Sequence, residues 1–138
     1  MQTTVINKLS NNQIDQLIEL YRNEFWCNTR TRNDVEKMLA HSNVIIGLED
    51  FDHNLIGFVR VLTDYVYKVM IYDLIIHPEF RGKQLGNVLM DEIIFHPELK
   101  QIPHFDLYCL PEMNEFYQQF GFTAELGGLG VMRRDNSM

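Results

Sequence analysis

The sequence predicts a mixed α+β fold: a central mixed, mostly antiparallel sheet of about 6–7 strands flanked by about four helices. Three observations point to it. Short β-rich runs succeed one another between Asn43 and His77, apolar residues recur at helical spacing in 14–21 and 85–93, and one run is apolar on both faces. With 138 residues, 46% of them hydrophobic, and no repeat, low-complexity stretch or Gly/Ser/Pro linker, the expectation is one domain over 1–138 with one continuous core.

Residues 2–7 form the first candidate strand. Ser10-Asn11 then offers caps for a helix whose Ile14, Leu17, Ile18 and Tyr21 fall at i, i+3, i+4, i+7 and so pack one face inward. A second, short helix is predicted from Thr31, with Asp34 completing an imperfect capping box and Val35, Met38 and Leu39 buried. Between the two helices lies Trp26-Cys27-Asn28-Thr29-Arg30, an unusual composition for a surface loop.

From Asn43 the pattern becomes that of a meander, with strands at 43–49, 54–63 and 67–77 separated by turn-rich stretches at Glu49–Asn54 and Asp64-Tyr65. The third run, Lys68 to Ile76, is apolar on both faces except for Asp73, as expected of a central strand covered on both sides. A helix is predicted from Gly82 to Phe95, with Leu85, Val88, Leu89 and Ile93 on its stripe and His96-Pro97 closing it. The remaining elements are a strand at Phe105–Leu110, a short helix with Met113, Phe116, Tyr117 and Phe120, and a final strand at Leu129–Arg133.

Composition narrows the function. Twelve Lys+Arg against 19 Asp+Glu leave a formal charge of −7, which gives no general attraction to phosphate backbones or anionic lipid, so neither nucleic acid nor membrane is an expected partner. Residues 1–4 lack the basic start and apolar core of a signal peptide, and the expected location is cytoplasmic. Cys27 and Cys109 form no Cys-x-x-Cys pair and are expected as free, buried thiols. His41, His53, His77, His96 and His104 show no ligand spacing, so no metal is expected.

The most informative stretch is Leu74-Ile75-Ile76-His77-Pro78-Glu79-Phe80-Arg81-Gly82-Lys83-Gln84-Leu85-Gly86, a buried strand running through a Gly/basic turn into a helix. Unpaired N–H groups and the helix dipole at such a helix start favour phosphate, and glycines let a ligand approach the main chain. The spacing matches neither a Walker loop nor a dinucleotide fingerprint. On spacing alone it reads equally as an ordinary strand-to-helix turn or as a phosphate cradle.

Arg-Gly-Lys-Gln-Leu-Gly after a strand ending Ile-His-Pro resembles the pyrophosphate loop of the GNAT superfamily of acetyl-CoA-dependent N-acetyltransferases. Leu107-Tyr108-Cys109-Leu110-Pro111 followed by Phe116-Tyr117-Gln118-Gln119-Phe120-Gly121-Phe122 resembles that superfamily's second cofactor motif, a strand leading into Phe-Tyr-x-x-x-Gly-Phe. The resemblance covers roughly 67–134. Within the superfamily these motifs most resemble the glucosamine-6-phosphate N-acetyltransferases, with two departures. Gln84 stands where glycine is commoner, and Met113 replaces an asparagine that appears one place later as Asn114.

The resemblance implies that Leu74, Ile75 and Ile76 offer main-chain groups to the pantetheine arm of acetyl-CoA, a cosubstrate, while Arg81, Gly82, Lys83, Gln84, Leu85 and Gly86 bind its pyrophosphate and Asn114 contacts the cofactor. Tyr117 would be the acid that meets the leaving thiolate; without the motif it reads as a core aromatic beside Phe116 and Phe120. Dimers are common in the superfamily, and a homodimer is the assembly it implies.

Acyl transfer needs a neutral amine, and either Asp73 or an ordered water is the candidate proton acceptor. Asp73 interrupts an apolar strand, which calls either for a working carboxylate or for a structural hydrogen bond across neighbouring strands. For the small-molecule amine acceptor the sequence offers Trp26, Arg30 and Arg60. Arg60 breaks the apolar alternation of Ile56, Phe58 and Leu62, which reads as an anchor for an acidic group or as a solvated arginine at the sheet end. The reading that emerges is an N-acetyltransferase acting by direct attack in a ternary complex. Glucosamine 6-phosphate acetylation is its narrower form, and a non-catalytic acyl-CoA-binding module is the rival class.

Overall fold

The computed structural model describes residues 2–137 and divides the chain into two units, one ending at Tyr108 and the other beginning at Cys109. In the first unit β1 (Thr4–Ile6) is followed by α1 (Asn11–Arg22), α2 (Arg32–His41), β2 (Val44–Glu49), β3 (Leu55–Thr63), β4 (Lys68–Ile76), α3 (Leu85–Ile94) and β5 (His104–Leu107). The second unit carries α4 (Asn114–Gln118).

The strands form one sheet in the order β1-β2-β3-β4-β5, antiparallel from β1 to β4 and parallel between β4 and β5. This is the expected mixed, mostly antiparallel sheet with four α-helices, but with five strands among the described residues instead of 6–7. The missing element is the strand expected at Leu129–Arg133. That segment has no regular structure, Leu129 and Val131 are 79% and 69% exposed, and no strand among the described residues pairs with it. A short alternating pattern beside Gly127, Gly128 and Gly130 does not hold a strand without a ladder partner.

α1 starts where its capping signals place it. Ser10 Oγ accepts from the Gln13 N–H while Gln13 Oε1 accepts from the Ser10 N–H, a complete capping box. Leu17, Ile18, Leu20 and Tyr21 of this helix pack with Val35 of α2 and with Leu55, Phe58 and Ile75 of the sheet. α3 covers the other face through buried Leu85, Leu89, Met90 and Ile93. There Gly57 admits the helix to the sheet: a Cβ on it would stand 3.1 Å from Ile76 Cδ1 and 3.3 Å from Leu89 Cδ1.

Three expectations shift at their edges. Met38 and Leu39 are half-buried, leaving Val35 as the fully buried residue of α2. α3 begins at Leu85 and not at Gly82, because Gly82 and Gln84 take positive φ. β5 ends at Leu107, and Cys109, expected buried, is exposed, whereas Cys27 is buried as expected. No helix among the described residues is long and apolar enough to cross a membrane, and no group of His, Cys, Asp and Glu there is arranged to hold a metal.

Candidate functional site

β4 is bulged at its one carboxylate. Arg60 pairs with Tyr72 and Phe58 with Ile75, so Asp73 and Leu74 together face Val59. Asp73 has φ +60°, a left-handed conformation that Asp tolerates better than branched residues. Past the bulge β4 also loses its other neighbour, since the parallel ladder runs from Lys68/His104 to Ile71/Leu107 and stops. From Tyr72 to Ile76 the β5 side of β4 therefore has no strand partner among the described residues. Main-chain groups along such an edge suit an extended ligand that pairs like a strand.

That edge leads through a single 3₁₀ turn at Pro78–Phe80 into the turn ahead of α3. Gly82 has φ +77°, and a Cβ there would meet no atom within 4 Å, so backbone conformation and not crowding selects glycine. Gln84 caps α3 with φ +61° and makes no side-chain capping bond. The helix start therefore lacks the usual side-chain acceptor, and an anion fits it. Lys83 Nζ sits 5.6 Å from the centre of the Phe80 ring, a solvent-facing cation beside the turn. Arg81 is tethered at both ends of its guanidinium. Its Nε donates to the Ile76 carbonyl at 3.1 Å and its Nη2 to Glu24 Oε1 at 3.0 Å.

A charge cluster lies on the α1 side of the bulge. Asp73 Oδ2 accepts from Arg60 Nε at 2.7 Å, from Arg30 Nη1 at 2.7 Å and from the Tyr21 hydroxyl at 3.0 Å, and the Asp73 side chain is only 4% exposed. Burial opposes ionisation of Asp73, but the hydrogen bonds and charges of Arg30 and Arg60 prevail and hold its carboxyl below the usual range. For Tyr21, burial and then the neighbouring carboxylate hold the phenol far above its ordinary value, so it is a fixed donor. The guanidiniums are seated on aromatic rings: Arg30 Cζ lies 4.6 Å from the Tyr21 ring centre and 5.7 Å from that of Trp26, and Arg60 Cζ lies 4.8 Å from that of Tyr72.

Of the residues expected around the acceptor, the structure thus brings Arg30, Arg60 and Asp73 into direct contact and sets Trp26, 44% exposed, against Arg30. Arg60 is not a solvated arginine at the sheet end, since its side chain is 12% exposed. Nor does Asp73 stand free to receive a proton. A carboxylate already holding two guanidiniums and a phenol is a weaker base than a free one, and it makes the structural pairing that was one of its two expected readings.

In the second unit Tyr117 is 8% exposed, with ring centres of Phe116 and Phe122 at 5.0 Å and 6.0 Å. Burial, and secondarily Cys109, push its hydroxyl up to about 12. Asn114 Oδ1 accepts from Cys109 Sγ at 3.4 Å.

Sequence reasoning missed Tyr21 and Glu24 as site residues. Tyr21 lies on the apolar stripe of α1 and carries no signal that separates it from core. Glu24 is one carboxylate among many, and its role depends on Arg81, distant in sequence.

Comparison with known proteins adds the chemistry. Residues 40–124 match the acetyltransferase (GNAT) domain. The chain is 32% identical over 123 residues to the uncharacterized N-acetyltransferase ycf52 of Porphyra purpurea, covering 83% of this chain and 71% of that protein. Its structure superposes with a TM-score of 0.82 and 27% identity on a protein of Xanthomonas campestris assigned to the GNAT family, over 98% of this chain and 94% of that one. The glucosamine-6-phosphate N-acetyltransferase of Arabidopsis thaliana superposes with a TM-score of 0.73 over 96% of this chain and 99% of that one, at 17% identity, a likeness of fold alone.

Proposed function

Because the chain belongs to the GNAT family of acetyltransferases and is therefore an acyltransferase, we propose that it takes acetyl-CoA as donor and acetylates a primary amine of a small molecule by direct attack in a ternary complex. The amine nitrogen attacks the thioester carbonyl carbon, a C–N bond forms and the C–S bond breaks. The amine gives up one proton, the thiolate gains one, and the products are an N-acetyl amine and free CoA. The reading takes the whole of 1–138 as one acetyltransferase domain.

One observation carries this reading. The edge of β4 from Tyr72 to Ile76, which has no strand partner among the described residues, leads through the 3₁₀ turn at Pro78–Phe80 into the glycine turn and the start of α3, where Gln84 makes no side-chain capping bond. Main-chain groups of Leu74, Ile75 and Ile76 suit an amide-bearing arm. Arg81, Gly82, Lys83, Gln84, Leu85 and Gly86 supply cations, open backbone and a helix start to a pyrophosphate. Arg81 reaches it by exchanging Glu24 for phosphate.

Tyr117 is the proposed donor to the departing sulfur. Burial keeps its hydroxyl protonated at neutral pH, and at about 12 it stabilises the thiolate by donating a hydrogen bond more readily than by surrendering the proton. Asp73 is given a different role from the expected one. Taking a proton from an alkylammonium with a carboxyl held below its usual range is strongly uphill. The acceptor therefore enters as the free amine and its proton passes to water, while Asp73 holds Arg30 and Arg60, which with Trp26 line the acceptor side.

Glucosamine 6-phosphate as acceptor is the narrower reading, supported by the Arg81–Gly86 stretch and weakened by the displaced Asn114. A homodimer is proposed on family grounds alone. The experiment is release of CoA thiol from acetyl-CoA across a panel of primary amines. Turnover with at least one amine class is expected. Tight CoA binding with no turnover of any amine would leave an acyl-CoA-binding module instead.

A further inference from the structure

The cluster around Asp73 is unbalanced in charge. Two guanidiniums, Arg30 and Arg60, share one carboxylate, so the group carries a net charge of (+2) + (−1) = +1. Tyr21 is the neutral fourth member, donating to Asp73 Oδ2 at 3.0 Å. Arg60 uses only its Nε on Asp73, and its two Nη groups have no hydrogen-bond partner among the described residues. No buried side-chain nitrogen or oxygen among those residues lacks a partner, so the Nη edge is within reach of solvent and of a ligand. This edge is fixed in direction, because Asp73 holds the Nε side and the Tyr72 ring lies 4.8 Å beneath the guanidinium.

Resting on the acetyltransferase reading, we propose that the acceptor is a primary amine that also carries a carboxylate, which the Nη edge of Arg60 receives, with Arg30 supplying the second positive charge and Asp73 and Tyr21 positioning both. The net charge of +1 matches a monoanion. A phosphate dianion would leave a surplus negative charge at a side chain that is 12% exposed. A planar carboxylate also fits the two parallel N–H groups of a guanidinium edge. Asp73 and Leu74 are consecutive at the bulge, so the anion lies beside the strand proposed to hold the acyl donor.

The test compares kcat/KM for amino acids and for their carboxamides of equal spacer length, with thiol release as the readout. Wild type is expected to prefer the acid roughly 10- to 100-fold, the usual worth of hydrogen bonds to a charged group. In Arg60→Ala the ratio should fall to about one. Arg60→Lys keeps a cation for Asp73 but has no fork, so it guards against misfolding, and there too the ratio should drop. Tyr21→Phe should raise the KM of the acid more than that of its carboxamide, a split that a packing defect alone does not produce. Equal rates for acid and amide, a preference that survives Arg60→Ala and Arg60→Lys, or a phosphomonoester amine preferred over the carboxylate would each overturn the proposal. Absence of turnover with every amine would count against acetyl transfer itself. Calorimetry of acid against amide with the CoA-bound protein then still decides the acceptor class.

Discussion

Arg60 Nε donates to Asp73 Oδ2 at 2.7 Å although Arg60 is the ladder partner of Tyr72, the residue before Asp73. Regular alternation would send Tyr72 and Asp73 to opposite faces of the sheet. The left-handed backbone at Asp73, within the bulge, breaks that alternation where the carboxylate meets the arginine.

Asp73→Asn should therefore act first on stability. It leaves two guanidiniums without their carboxylate, and breaking a buried pair costs on the order of 3–5 kcal/mol. Because the folded carboxyl sits below 3.8, the pairing stabilises the protein above the unfolded value and is lost as pH falls from about 3.8 through the folded value. Denaturant melts against pH should show that acid limb in wild type and a flatter one in Asp73→Asn. Its pH–rate profile near neutrality should keep the wild-type shape. A rate loss recovered at high pH would return Asp73 to the role of base.

Gly82→Glu and Gly86→Glu place a carboxylate on the proposed pyrophosphate turn. The Kd for CoA should rise at least about tenfold, which is 1.4 kcal/mol. Isothermal titration reads this directly, and unchanged affinity in both variants would remove the turn from the cofactor site.

Glu24→Gln should do the opposite. In the proposed site the carboxylate would compete with phosphate for Arg81, and an ion pair of this exposure is worth about 0–1 kcal/mol. CoA should bind up to about fivefold more tightly in the variant, with the gain shrinking as salt is added. Weaker binding would mean that Glu24 orients Arg81 for the ligand.

Tyr117→Phe should lower kcat by roughly 10²-fold or more with little change in the KM for acetyl-CoA, since the hydroxyl in its proposed role would meet charge that develops only as the thiolate leaves. Single-turnover rates isolate the chemical step. A mutant with wild-type single-turnover rate makes Tyr117 a packing residue among Phe116 and Phe122.

Much of this was legible in the chain itself. Helix caps at Ser10 and Thr31, the apolar stripes of α1 and α3 and the meander of β2 to β4 are local signals, set by hydrogen bonds three residues apart and by side-chain period. The glycine turn after β4 was equally plain, because the special backbone of Gly82 leaves a trace in residue type. The expected strand at Leu129–Arg133 failed because a strand is made by its neighbour, and alternation does not supply one.

What only the tertiary structure decided is the use of the polar exceptions. Asp73 and Arg60 were visible as breaks in apolar strands, but their pairing with each other, with Arg30 and with Tyr21 depends on a bulge and on chain segments 13 to 52 residues apart. Sequence alone left Asp73 between a free base and a structural partner. Two guanidiniums at 2.7 Å favour the ionised carboxylate, since opposite charges so close in a buried place lower its affinity for a proton. Residue type determined that a charge sits in the sheet, and packing determined what that charge is able to do.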